Sequence, residues 1–157
     1  MSGSTAHEAF REKFMIDQLG LLDDGEWTLL VRPGQLTLGC MVLSSTRGIK
    51  DFSGIAASSG SNFITMLAKA ETVAKTLYGA VRINAVCLMM QDPVIHFHII
   101  PRYDQLIERY GIIWRDEDWP APPVFRPLVT PNETLIKIKA GIADWLFQAP
   151  SRTGNEA

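Results

Sequence analysis

The chain has 157 residues, 46% hydrophobic and 20% charged, with a formal net charge of −2. That length suffices for one domain with a single core and leaves no room for a second, so 1–157 is expected to fold as one unit. The slightly acidic balance gives no field that would gather a nucleic-acid polymer.

The first twenty residues, MSGSTAHEAFREKFMIDQLG, contain no uninterrupted apolar run. Neither a secretory signal nor a membrane span is expected there, and a cytoplasmic location is the corresponding expectation. Thr5 and Glu8 have capping-box spacing, which predicts a helix over 6–19 with Ala6, Phe10 and Phe14 on one stripe and Gly20 as its stop. His7 falls in its first turn and reads as a surface residue. A polar connection over 21–26 leads to a strand over 27–32. Turn residues from Arg32 to Gln35 then precede a second strand over 36–43, which together read as a hairpin.

After a loop over 44–50, Phe63, Met66, Leu67, Ala70, Val73, Ala74 and Leu77 recur at helical spacing, with Gly79 ending the helix. Such a stripe is most simply core, buried against a sheet. The apolar run over 81–90 favours a central strand. Gln91, Asp92 and Pro93 turn it tightly into VIHFHIIPRY, so the two strands should be antiparallel neighbours. Beyond Tyr103 periodicity is lost in a proline-rich segment, where Trp114 and Trp119 read as anchors of a loop in preference to stacking platforms. Thr130 to Glu133 form a second capping box with Pro131 at the first helical position. A helix is expected to 147 with Leu135, Ile138, Ile142 and Leu146 buried, and 151–157 reads as a polar tail. Cys40 and Cys87 sit in apolar runs and are expected to be buried free thiols, with no zinc-ligand spacing near either.

The chemistry concentrates in 94–103. Alternation along a strand puts His96 and His98 on one face with Val94 and Ile100, and Ile95, Phe97 and Ile99 on the packed one. Paired neutral imidazoles offer a nucleophilic nitrogen and a second proton-bearing group, suited to phosphoryl or acyl transfer or to holding a metal. The bland alternative is a solvated strand face. The neighbouring Gln91 and Asp92, in a chain with only one other histidine, favour the functional reading.

VIHFHIIPR resembles the signature of the histidine triad family of nucleotide hydrolases and transferases. His96 and His98 match the second and third motif histidines, Pro101 and Arg102 match the residues that often follow, and Val94 stands where the first histidine belongs. The resemblance extends through QLTLGCMVLSSTR, 35–47, and the helix between the two stretches, over roughly the central half of the chain. It implies an α+β fold, an antiparallel sheet with a long helix packed on it, usually paired as a homodimer. It also implies a nucleotidyl-histidine intermediate on His96, with His98 donating toward phosphate or leaving-group oxygens. Gln91 would aim an amide at the phosphoryl oxygens, Asn84 would assist from the adjacent strand or make a structural bond, and Arg32 would stand near the ribose. Such a role requires His96 to be neutral, with its other nitrogen on an acceptor such as a backbone carbonyl.

The implied substrate is a dinucleoside polyphosphate or a nucleoside phosphoramidate, with no cofactor and no metal. Two other readings stay open. Val94 and the short loop before it suit a noncatalytic nucleotide-binding or regulatory module, and the histidine pair could ligate a metal, although no third ligand is evident on the strand.

Overall fold

The computed structural model describes residues 2–152. Its centre is a five-stranded antiparallel sheet in the order β1-β2-β3-β5-β4, formed by β1 (Gly20–Asp23), β2 (Trp27–Val31), β3 (Met41–Ser45), β4 (Arg82–Val86) and β5 (His96–Arg102). Strand alternation sorts the side chains into two layers. Leu29, Val31, Met41, Leu43, Ile95 and Ile99 form the main core with α3 (Ala57–Tyr78) and α4 (Asn132–Arg152). Leu30, Val42 and Val94 point the other way and pack with Phe10, Phe14 and Ile16. The histidine-bearing face is therefore not a solvated strand face: the N-terminal helix roofs it.

That helix is shorter than expected. α1 (Ser2–Lys13) begins upstream of Thr5, and Met15, at φ 54°, separates it from the single turn α2 (Ile16–Leu19). Gly20 ends α2 in extended backbone and opens β1, so the expected polar connection over 21–26 is in part the edge strand of the sheet. His7 is half-buried, with Nδ1 buried and without a hydrogen-bond partner, which corrects its reading as a surface residue.

β2 and β3 pair as expected, with Leu29 opposite Leu43, but a nine-residue loop rather than a tight turn joins them. Buried Gln35 holds that loop. Its Nε2 donates to the Arg32 and Cys40 carbonyls at 2.7 and 2.8 Å, and its Oε1 accepts from Gly39 and Cys40 amides at 2.8 and 3.0 Å. Gly39 needs its positive φ of 84°, and an added Cβ would lie 2.8 Å from the Tyr78 ring. Cys40 is fully buried, whereas Cys87, just past β4, is half-buried.

α3 closes on Gly79 in the left-handed conformation, where the stripe predicts. β4 pairs antiparallel with β5, but it is an edge strand instead of a central one. Arg82 and Ala85 are exposed along it, and the apolar residues after Val86 leave the ladder. A hairpin that the sequence did not announce, β6 (Ile107–Arg109) and β7 (Ile112–Trp114), occupies part of the segment expected to be irregular. Its turn, Tyr110–Gly111, has φ values of 56° and 71°, the positive pair that a tight two-residue connection requires. Trp114 and Trp119 are half-buried, as anchors; Trp114 Nε1 donates to the Arg109 carbonyl at 3.0 Å. Thr130 does not cap α4 but accepts from the Gln35 amide at 3.0 Å, while the Pro131 carbonyl closes the helix's first turn. α4 continues to Arg152, into the expected tail, whose remainder lies outside the described residues.

Candidate functional site

His96 and His98 point from β5 toward α1, with ring centroids 5.0 Å apart and nearly perpendicular planes. In the sheet His96 lies opposite Ser44, and His98 lies between Val42 and Val86. Above them, Phe10 approaches His96 at 5.2 Å, Phe14 lies 5.6 Å from His96 and 6.2 Å from His98, and Phe125 meets His98 at 5.3 Å. These rings leave His96 only 4% and His98 only 8% exposed.

The two imidazoles face opposite kinds of partner through the same atom. His96 Nδ1 is 2.7 Å from the Val94 carbonyl, which can only accept, so Nδ1 carries a hydrogen and in the neutral ring the lone pair lies on Nε2. The expected backbone acceptor is thus the carbonyl of Val94, two residues upstream on the same segment. His98 Nδ1 instead receives a hydrogen bond from Arg32 Nε at 3.1 Å. A guanidinium cannot accept, so His98 Nδ1 holds a lone pair and its hydrogen sits on Nε2. Burial lowers the pKa of Arg32, but a guanidinium is basic enough to remain a cation. Burial chiefly, then Arg32, His96 and Lys13, push His98 down from 6.5 to about 3, against an opposing pull from Asp92.

Both histidines line a cleft of about 330 Å³ together with Lys13, Arg32, Gln91, Asp92 and Phe125. Lys13 reaches across its mouth to Asp92 at 2.8 Å. Arg32 is fixed from two further sides, by a hydrogen bond to the Gly34 carbonyl and by stacking over Phe125 at 5.6 Å. Two cations and a hydrogen-bonding imidazole pair in a half-closed cleft suit an anionic ligand. Among the described residues no group of three or more His, Cys, Asp or Glu side chains is placed to hold a metal ion.

The structure brings Gln91 and Arg32 to the imidazoles, though Arg32 spends its Nε on His98. Asn84 is on the same sheet face but outside the cleft lining; its Oδ1 accepts from Arg102 at 2.7 Å, the structural bond that its position also allowed. Lys13, Phe14 and Phe125 were missed as site residues. The Phe10–Phe14 stripe carried a signal, but spacing alone does not tell which sheet face a helix will cover, and nothing in the proline-rich segment singles out Phe125.

No protein-family model matches the chain, and no curated protein does. Solved structures share the architecture. A histidine triad protein from Marinobacter aquaeolei VT8 is 19% identical, with a TM-score of 0.67 over 87% of this chain and 94% of its own. A hypothetical histidine triad nucleotide-binding protein from Sulfolobus tokodaii strain7 is 10% identical, with a TM-score of 0.68 over 97% of both chains. A Zn-bound histidine triad family protein from Mycobacterium smegmatis is 14% identical, with a TM-score of 0.64 over 92% and 96%. At these identities the likeness establishes the fold: an α+β histidine triad fold with its antiparallel sheet and packed helices.

Proposed function

We propose that this cleft cleaves a nucleotide at its α-phosphorus, as a hydrolase or nucleotidyl transferase that passes through a nucleotidyl-histidine on His96. The observation that carries the proposal is the 2.7 Å contact between His96 Nδ1 and the Val94 carbonyl. It makes Nε2 the lone-pair atom of a ring that lines a cationic cleft. The fold and the match of His96, His98, Pro101 and Arg102 to the family signature support the nucleotide as substrate. Dinucleoside polyphosphates and nucleoside phosphoramidates are its two candidate classes.

Attack forms an N–P bond, and the pair of the breaking bond leaves with the departing group. The Val94 carbonyl relieves the positive charge that develops on the ring. The Nε2 hydrogen of His98 meets charge on the phosphoryl oxygens in a cleft made electropositive by Arg32 and Lys13, with Gln91 at the mouth. Water then attacks phosphorus, the N–P electron pair returns to His96 Nε2, and the water's proton passes to solvent. A homodimer, implied by the resemblance, belongs to the same proposal, and sedimentation equilibrium tests it.

Mass spectrometry of intact protein mixed briefly with adenylated substrates should show one added nucleotidyl group. It should map to His96 and be absent in His96→Ala with the unfolding midpoint preserved. Full turnover by that variant rejects His96 as the nucleophile.

A noncatalytic nucleotide-binding module is the second reading. It is favoured by Val94, which is fully buried in the apolar cluster with Phe10 and Phe14, and by the depth at which those rings hold both imidazoles. Calorimetric binding of adenine nucleotides without product over long incubation supports it, and multiple turnover excludes it.

A further inference from the structure

We infer that Arg32 is a positioning residue that acts through His98 and limits the site to substrates whose leaving group departs as an anion, phosphoric anhydrides rather than phosphoramidates. This rests on the proposed nucleotidyl transfer to His96. Proton supply to the leaving group decides between the two substrate classes. Arg32 Nε donates to His98 Nδ1 at 3.1 Å, so the remaining hydrogen of the ring is on Nε2. Losing that hydrogen from a neutral imidazole would create an imidazolate, far too costly near neutral pH. His98 therefore gives a hydrogen bond and cannot give a proton.

To serve as an acid it would first have to gain a proton on Nδ1, where a guanidinium already points a hydrogen. Lys13 and His96 add positive charge, Asp92 opposes it, and burial outweighs the carboxylate. His96, as the nucleophile, keeps its own hydrogen on the Val94 carbonyl. Lys13 bears the other transferable proton among the described residues that line the cleft, and it is engaged by Asp92 at 2.8 Å.

The consequence falls on the leaving group. When a phosphoric anhydride is cleaved, His96 Nε2 forms the N–P bond. The bridging oxygen leaves with the electron pair of the broken P–O bond and becomes a terminal oxygen of the departing phosphate, which needs no proton. When a phosphoramidate is cleaved, the pair leaves with nitrogen, and expulsion of an amine requires a proton that His98 cannot supply. Arg32 thus acts on substrate choice without having to touch the ribose. Its own placement is over-determined by the Gly34 carbonyl, the Phe125 ring and the loop that Gln35 organises.

Two measurements test this. In protein carrying ¹⁵N-labelled histidine, long-range ¹H–¹⁵N spectra should show His98 with a protonated Nε2 and an unprotonated Nδ1 throughout pH 5 to 8, roughly the range in which an unperturbed imidazole titrates. The unmodified enzyme should turn over diadenosine polyphosphate at least about a hundredfold faster than adenosine phosphoramidate, the scale of a missing general acid. In Arg32→Met the His98 ring should titrate at higher pH, and the ratio between the two substrates should narrow, whatever the change in overall rate. A native His98 protonated on Nδ1 overturns the inference, and so does parity between the two substrates when the adduct is present. Absence of any adduct ends the functional reading and this restriction together, so the two failures are told apart. The native-protein spectra and substrate ratio decide the matter should Arg32→Met fail to fold.

Discussion

A hydrogen-bond acceptor at one Nδ1 and a donor at the next give neighbouring imidazoles different duties, although both stand on one strand face. The histidine pair and the need for a carbonyl partner were legible in the sequence, because strand alternation and imidazole chemistry dictate both. That the second imidazole would be governed by Arg32 was not, since the contact joins residues 66 positions apart. The burial of His98, reinforced by that contact, has a thermodynamic signature. His98 is held at about 3 in the fold against an ordinary 6.5, so the unfolded chain binds its proton more readily. The stability it contributes is fully present above 6.5 and drains away as pH falls toward 3. Burial is the main cause of the depression, Arg32, His96 and Lys13 reinforce it, and Asp92 opposes it. Urea midpoints measured between pH 7 and 4 should decline, and the decline should be shallower in His98→Asn; an identical slope in the variant refutes this account.

At the scale of elements, long periodic segments were readable and short exceptions were not. α3 and its Gly79 stop follow from three-and-four spacing, and β4 pairs antiparallel with β5 as expected, although a nine-residue connection over 87–95 takes the place of the tight turn expected at Pro93. The break at Met15 had no glycine to mark it. The β6–β7 turn uses Tyr-Gly where Asn-Gly would have been a clear signal. The decisive element for the site is α1, whose Phe10 is 1% exposed and packs on His96 without lining the cleft. Phe10→Ala should cost about 3–5 kcal/mol, the range for emptying a buried aromatic position. It should also uncover His96. Peptide mapping after diethyl pyrocarbonate treatment should find His96 modified several times faster in the variant than in the parent protein, at equal fractions folded. Equal rates would mean that α1 does not govern access to the ring. Lys13→Ala, which unlinks the same helix from Asp92, should shift the labelling in the same direction by a smaller factor, because an exposed pair contributes about 0–1 kcal/mol.

The whole molecule places the site by joining segments that the sequence keeps far apart: Lys13 from α1, Arg32 from the end of β2, Gln91 from the turn before β5, and Phe125 from the proline-rich stretch. Phe125 reaches the cleft because of a second, buried network at the other end of β5. Arg102 and Asp116, 3% and 2% exposed at their side chains, pair at 2.7 Å. Arg102 also donates to Asn84 and to the Ala121 carbonyl, each at 2.7 Å, and Asp116 accepts from the amides of Asp118 and Trp119 at 3.2 and 3.1 Å. One ion pair thus binds the exit of the histidine strand to the loop that carries Phe125 over His98. Removing one partner leaves the other charge buried, so Asp116→Ala should destabilise the fold by about 3–5 kcal/mol. Replacing both, as Arg102→Met with Asp116→Leu, should recover much of that loss, because an apolar pair can fill the space without uncompensated charge. The carboxylate that accepts from the Asp118 and Trp119 amides, and the guanidinium that donates to the Ala121 carbonyl, would still be gone. In the double variant the urea midpoint should approach that of the parent while the ring-current shift of Phe125 on the His98 protons diminishes. A midpoint that recovers together with an unchanged shift would show that the loop is held by its tryptophan and prolines rather than by the ion pair.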